Sequence, residues 1–518
     1  MTLEVAQAIA WVDGARAGLA QARGRIDAVN VFPVADGDTG TNAWLTLEGG
    51  ARAVDEVRVR ADQTGGPDAA DVLSAFARGA MLAARGNSGV ILSQWLAGFA
   101  RRVTGAGPDE RAGVVLADAL RAAARAARQA LADPQEGTVL TLADEVADAA
   151  VLGADAGAPT ATVLAQSATA GHQALARISA THPVLRRAHV PDAGACALLV
   201  VVDALVAGVA GDAAPGPVAW LPERGSGHDE PAPQECGAGH AAQGGAFEVM
   251  LVVRDDGPRD LAEALRRALG QVGDSVAVVG ADGWWHAHVH TDEPAAAIEA
   301  CALGRREQVV VRRLDVVELG VDAGPGAGWG LVVVTASPGL ASWYATAGAV
   351  VVVRCPEEPV TAAHVRRAVE DTGRRDVLVL PGGAVTGAEL EALLELDGVE
   401  LLGADDEARA AVATLAFVTG DGSAQVHAAA LATGRVRVAA LEPATARASL
   451  AEAVAHLVGA APADEHAAPS RPESLTVVVP GPLEDDLAAR VEAAAAAHGL
   501  EPTILSDATA PAVLVAVD

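Results

Sequence analysis

The sequence predicts a multidomain chain of the α plus α/β class, with an all-α N-terminal domain, a small α/β middle domain and a C-terminal α/β domain. Three observations predict it. Apolar residues recur at i, i+3 and i+4 from residue 3 to about residue 210, the period of helices that bury one face. A long Gly- and Pro-dense stretch then breaks the pattern. Beyond it the apolar runs become short and continuous, as in strands buried on both faces. A chain of 518 residues also exceeds what one hydrophobic core spans.

Taken in order, "ADVLSAFARGAMLAA" (70–84), "SGVILSQWLAGFARRV" (88–103) and "AGVVLADALRAAARAARQALA" (112–132) are typical helices of the first domain, residues 1–210. Residues 211–245, "GDAAPGPVAWLPERGSGHDEPAPQECGAGHAAQGG", carry no periodicity and read as a linker. The middle domain, 246–321, holds the strand-like runs "AFEVMLVVR", "DSVAVVGADG" and "WWHAHVHTD" and the helical "EPAAAIEACALG". A second break, "DAGPGAGWG" (322–330), closes it.

The C-terminal domain, 330–518, begins with "LVVVTA", "AVVVVRC", "DVLVLPGG" and "VELLGA", alternating with helical stretches such as "TAAHVRRAVEDTG". That rhythm predicts βαβ units on a mostly parallel sheet to about residue 459. A loose tether, "APADEHAAPSRPES", precedes a final β-α-β piece made of "LTVVVPGP", "LEDDLAARVEAAAAAHG" and "AVLVAVD".

The formal net charge is −30, and all 37 basic side chains are Arg. Such a surface repels the phosphates of duplex nucleic acid, so nucleic acid is not an expected partner. The four cysteines, Cys196, Cys236, Cys301 and Cys355, lie far apart with no C-x-x-C, which fits a reducing compartment and an expected cytoplasmic location. No run reads as a signal peptide or a membrane span.

Four small polar turns, each ahead of a helix, carry the chemistry of the first domain. "NVFPVADGDTGTN" (30–42) sets Asp36 and Asp38 one residue apart. Two carboxylates aimed at one point tolerate each other best with a cation between them, and oxygen-only donors suit Mg2+ on a nucleotide's phosphates. The plainer reading is an Asx-type turn capping a helix that starts near Thr41, with Gly37 and Gly40 bending the chain.

"AARGNSGVILSQ" opens a second helix with Gly86, Asn87, Ser88 and Gly89, small residues whose free N–H groups can face an anion. It is neither a Walker A loop nor a G-x-G-x-x-G turn, and it also fits an ordinary cap. "QEGTVLT", with Thr138, and "HVPDAG", with Asp192, repeat the punctuation. Helices gathered into a barrel would bring all four turns to one rim, where a nucleotide could sit.

In that order and spacing, the four motifs closely resemble the nucleotide-binding domain of the dihydroxyacetone kinase L-subunit (DhaL-type) family. They are most similar to its fused form in the ATP-binding subunit of bacterial fatty acid kinase. The likeness is specific in the first two motifs and, toward the C-terminus, mainly one of a DegV-like layout. It implies ATP and two Mg2+ ions held by Asp36 and Asp38, with Asn30 as a third ligand where dihydroxyacetone enzymes carry Asp. Thr39, Thr41, Asn42, Asn87, Ser88, Gly89 and Thr138 would surround the nucleotide, with Asp192 at the rim.

In the middle domain His286, His288 and His290 alternate along one predicted strand and so share a face, which suits either a solvated strand or a metal. Similar kinases carry "VHVHT" here, the two His joined by a Cys at zinc. The resemblance places Glu248 where that Cys aligns, beside His288 and His290, while Cys236 and His240 fall upstream.

The implied reaction is phosphorylation of a fatty acid, presented by a DegV-like fatty-acid-binding partner, to an acyl phosphate. A homodimer is the implied assembly. Two alternatives stand beside it: the same chemistry on a small polyol such as dihydroxyacetone, and a non-catalytic nucleotide-binding scaffold. Where relatives show a "GGQTMNPST"-like run after a C-terminal strand, this chain has "VVVVRCPEEPVTAAHV" (350–365), so the partner surface is its own.

Overall fold

The structure, a computed structural model, describes residues 3–32, 37–61, 66–131, 134–211, 220–221, 245–257, 259–281, 283–314, 328–420, 422, 424–460, 472–507 and 510–518. Its contacts divide the chain into two units: Met1–Gln243 with Asp260–Arg266 and Ser275–His288, and Gly244–Arg259 with Arg267–Asp274 and Val289–Asp518.

The first unit is built on α1 (Val5–Asp27), α2 (Thr39–Ala61), α3 (Ala69–Leu82), α4 (Gly86–Thr104), α5 (Ala112–Gln129), α6 (Val139–Asp155), α7 (Thr160–Thr181), α8 (Pro183–Ala188) and α9 (Ala193–Ala210). Local chemistry sets several starts: Glu4 with Gln7 and Asp68 with Asp71 form capping boxes for α1 and α3. Successive helices from α1 to α7 pack side by side, and α9 packs on both α7 and α1, closing a ring. This is the expected helical barrel. An aromatic cluster fills part of its centre: Trp11 stands edge-on to Phe76, Trp95 and Phe99 at 5.7, 6.5 and 4.9 Å.

Helix α9 is, by length and composition alone, apolar enough to cross a membrane, which the reading of the sequence did not anticipate. In the fold it is a core helix, 67% buried, and Val201 on it accepts a 3.0 Å hydrogen bond from the Trp11 indole.

Residues of the expected middle domain also belong to this unit. Ala277 and Val279, on β2 (Asp274–Ala281), form an apolar cluster with Met81, Ala84, Val90 and Ala130. The other middle strands are β1 (Phe247–Arg254), β3 (Trp284–Thr291) and β4 (Arg305–Arg313), with α10 (Ala262–Leu269) and α11 (Pro294–Ala300) between them.

The remaining elements of the larger sheet are β5 (Gly330–Thr335), α12 (Pro338–Thr346), β6 (Val350–Val353), α13 (Ala362–Asp371), β7 (Val377–Leu380), α14 (Gly387–Leu393) and β8 (Val399–Leu401). Eight strands run in the order β2-β3-β1-β4-β6-β5-β7-β8. Strands β5 to β8 are mutually parallel, as their unbroken apolar runs predict, whereas β6 meets β4 antiparallel. The middle and C-terminal strands therefore share one sheet.

The chain continues through α15 (Glu407–Thr419), α16 (Ala424–Arg435), β9 (Arg437–Leu441), α17 (Pro443–Gly459), β10 (Ser474–Pro480), α18 (Asp485–His498), β11 (Glu501–Asp507) and β12 (Val513–Val517). Here the expectation of a parallel sheet to about residue 459 is corrected. Strand β9 instead pairs antiparallel with β12 in a second sheet, ordered β11-β10-β12-β9. Leu450 and Val454 of α17 pack on its Leu475, Val477 and Val515. The reason is that β9, "RVAAL", is only partly buried and suits an edge, not the centre of a parallel sheet.

Candidate functional site

The acidic turn is assembled from its flanks. Asp38 supplies its backbone carbonyl to the Asn42 N–H at 2.8 Å, the first turn of α2, so the helix starts at Thr39, two residues earlier than the sequence suggests. Pro33 to Asp36 lie outside the described residues, and Asp36 with them. Gly37 has φ +66°, a backbone conformation glycine adopts without strain. Gly40 does not bend the chain; a Cβ there would meet the Arg23 carbonyl at 2.2 Å, so glycine is what lets α2 approach α1.

The residue that holds this turn was not singled out in the sequence. Asp27, at the end of α1, accepts from the Thr41 N–H at 2.9 Å and from the Thr41 hydroxyl at 2.7 Å. Burial pushes its carboxyl above the ordinary value, and the nearby Asp38 charge adds to the rise. The available signal was an acidic residue three positions ahead of Asn30, in "RIDAVN". Asn30 itself is buried and its N–H donates to the Asp27 carbonyl at 3.2 Å. Replacing Asp27 by Ala removes both acceptors of Thr41, and about 2 kcal/mol of stability should go with them. Urea midpoints of the wild type and Asp27→Ala check this; equal midpoints would show that Thr41 finds water as a full substitute.

The second turn lies against the first. Thr39 Oγ1 and Ser88 Oγ stand 3.4 Å apart, joining the starts of α2 and α4. Gly89 has no room for a side chain, since a Cβ would lie 2.4 Å from Thr46 Oγ1. Thr46 in turn donates to the Asn42 carbonyl at 2.7 Å. Asn87 Oδ1 is buried and has no hydrogen-bond partner among the described residues. Asp38, Thr39, Asn87 and Ser88 thus offer oxygen donors of the kind a hard cation and its phosphates require.

The third and fourth turns form another pair. Thr138 caps α6, accepting from Leu140 N–H at 3.4 Å and donating to the Gln135 carbonyl at 2.8 Å. Asp192 caps α9, accepting from Ala195 N–H at 2.7 Å, and it also takes the Val139 N–H at the head of α6. It is only 4% exposed, and burial raises its carboxyl to about 6. Both side chains are spent on helix starts, which places Thr138 and Asp192 as shapers of the rim.

The two pairs meet through a residue absent from the motifs. His182, between α7 and α8, lies 4.4 Å from the Phe32 ring, centroid to centroid, and packs on Gly137.

In the middle strands, His286, His288 and His290 are all buried, so a solvated strand face is excluded. One ligand atom each from Glu248 on β1 and His288 and His290 on β3 fall within 4.8 Å of one another; His286 is not in that group. Glu248 also pairs with Arg312, its register partner on β4. Cys236 and His240 lie outside the described residues, while Cys196, Cys301 and Cys355 are buried free thiols.

Comparison with known proteins follows this geometry. The DAK2 domain family matches residues 33–207, and the FakA-like middle domain, that of fatty acid kinases, matches residues 245–316. The chain is a FakA-like protein of the fatty acid kinase family. Protein YloV of Bacillus subtilis (strain 168) is 30% identical over 281 residues, 53% of this chain and 49% of YloV. An uncharacterized protein of Staphylococcus epidermidis, SERP0792, is 44% identical over 80 residues, 15% of this chain and 13% of that protein. This FakA-like chain thus spans about half of the YloV length and a small part of the staphylococcal protein. Crystal structures of the C. freundii dihydroxyacetone kinase, native and with AMP-PNP and Mg2+, align over 38% of the chain at 17% and 18% identity. They cover 34% and 33% of those chains with TM-scores of 0.30 and 0.28, too low to bear on the site.

Proposed function

We propose that the chain is the nucleotide-binding component of a kinase that transfers the γ-phosphoryl group of ATP to the carboxylate of a fatty acid. The observation that carries this reading is the 3.4 Å approach of Thr39 and Ser88, which sets the Asp38 turn against the free N–H groups opening α4. The DAK2 and FakA-like matches support it.

A fatty acid carboxylate is already ionised at neutral pH and needs no base to become a nucleophile. One of its oxygens bonds to the γ-phosphorus as the bond to the β,γ-bridging oxygen breaks, and ADP leaves with that electron pair. What the chain must do is hold the triphosphate in line and oppose its charge. The first N–H groups of α4 and the hydroxyls of Thr39 and Ser88 would orient the phosphates, with Thr41 and Asn42 fixing the turn. Asp36 and Asp38, with Asn30, would hold two Mg2+, which supply charge neutralisation. Asp192 and Thr138 would keep the far rim in place.

The acid is presented by a DegV-like lipid-binding protein, which the C-terminal region from residue 330 onward would receive, and the chain works as a cytoplasmic homodimer. Purified chain with Mg-ATP should form acyl phosphate, trapped as the hydroxamate, only when the fatty acid arrives on such a carrier. Turnover with dihydroxyacetone alone would move the reading to a polyol kinase. ATP-dependent carrier binding with no transfer would reduce it to a scaffold.

The Glu248, His288 and His290 donors fit a zinc-type divalent cation, although Arg312 already balances the carboxylate. Elemental analysis of protein purified without chelator should find about one zinc per chain, lost in His290→Ala. A folded, metal-free wild type would leave the Glu248–Arg312 pair as the sole stabiliser of these strands.

A further inference from the structure

His182 belongs to none of the four motifs, yet it stands where they converge. Its backbone is fixed on both sides: the N–H donates to the Ile178 carbonyl at 2.9 Å, ending α7, and the carbonyl accepts from Arg186 N–H at 2.9 Å, opening α8. The ring is clamped as well. Phe32, two residues beyond Asn30, lies 4.4 Å away at an interplanar angle of 58°. On the other side, a Cβ built on Gly137 would stand 3.5 Å from the His182 Cδ2, so the ring rests on the turn that leads into α6.

The two ring nitrogens differ. Nδ1 is buried with no hydrogen-bond partner among the described residues, whereas Nε2 is not buried in this way. A buried N–H without an acceptor is costly, so the favoured tautomer carries its proton on Nε2. Burial also lowers the imidazole's proton affinity, which keeps the ring neutral near pH 7. The result is a rigidly placed neutral N–H donor between the acidic turn and the α6 turn.

We propose that His182 is a nucleotide-contacting residue whose Nε2–H donates to a phosphate oxygen of the bound nucleotide. The inference rests on the nucleotide reading of the rim and adds a donor that the motifs do not contain. The clamped backbone and ring mean that little side-chain freedom is lost on binding, the condition under which a neutral donor is most effective.

Titration calorimetry with Mg-AMP-PNP tests it on the full chain. His182→Phe keeps a ring against Phe32 and Gly137 but loses the donor; His182→Gln keeps a donor and loses the ring. Affinity should fall about 10-fold in His182→Phe and return most of the way in His182→Gln, with thermal midpoints confirming that both fold. Wild-type affinity in His182→Phe, or equal loss in both variants, would reduce His182 to a packing residue. If His182→Phe does not fold, His182→Ala replaces it beside His182→Gln, and the same comparison decides. Should the wild-type chain bind no nucleotide at all, it is the reading of the rim that fails.

Discussion

Replacing Asp38 by alanine should lower the rate of phosphoryl transfer from Mg-ATP about 100-fold or more while leaving the helical ring folded. The separation of the two effects comes from the geometry. It is the Asp38 carbonyl, not its carboxylate, that accepts the first hydrogen bond of α2, from Asn42 N–H at 2.8 Å. Truncation therefore keeps that bond and removes only the negative charge proposed to face the cation. Thr41 stays anchored by Asp27 in the variant, so the turn keeps its place. Single-turnover assays with the carrier-bound acid, beside far-ultraviolet circular dichroism, measure both quantities. A rate within about threefold of wild type would remove the acidic turn from the chemistry.

The second large effect concerns Asp192 and is one of stability against pH. Its folded carboxyl sits at about 6 against an ordinary 3.8, because burial disfavours the charged form more than the N–H groups of Ala195 and Val139 favour it. The folded state therefore binds a proton more tightly than the unfolded state does. The stability this contributes is fully present below the unfolded value and is lost as pH rises through about 6. A rise of about 2 units corresponds to roughly 3 kcal/mol across that window.

Asp192→Asn retains an oxygen for Ala195 N–H and has no proton to lose, so its urea midpoint should vary less between pH 4 and pH 8 than that of the wild type. Asp192→Ala leaves two buried N–H groups without their acceptor and should be less stable than Asn at both pH values, by about 2 kcal/mol. Parallel pH profiles for wild type and Asn would mean that the carboxylate is better solvated than its burial implies.

Much of the N-terminal fold was legible because helix periodicity is a local property, written every three or four residues. The turns were legible for the same reason: "ADGDTGTN" and "RGNSG" mark helix starts by composition. Gly40 shows the limit of that reasoning. It looks like a bend, but its role is to let the Arg23 carbonyl come close, a fact of helix-to-helix distance. Asp27 was missed because its two hydrogen bonds reach 14 residues ahead, past a loop that sequence spacing cannot fold. His182 was missed because its neighbours Phe32 and Gly137 lie far away in the chain.

The sheets divide in the same way. Unbroken runs of Val and Leu predicted parallel, two-sided burial for β5 to β7, and it is found. The partner of β9 could not be predicted from "RVAAL", since a short, half-exposed strand fits many edges and β12 lies more than 70 residues on.

By itself, then, the sequence determined which segments become helices or strands and which four turns carry polar chemistry, because those depend on neighbours a few residues apart. Only the tertiary structure decided that α9 closes the ring onto α1, that Thr39 meets Ser88, and that Asp192 serves two helices at once. Those pairings are set by packing between distant segments, where burial and complementary shape select one partner among many chemically equivalent ones.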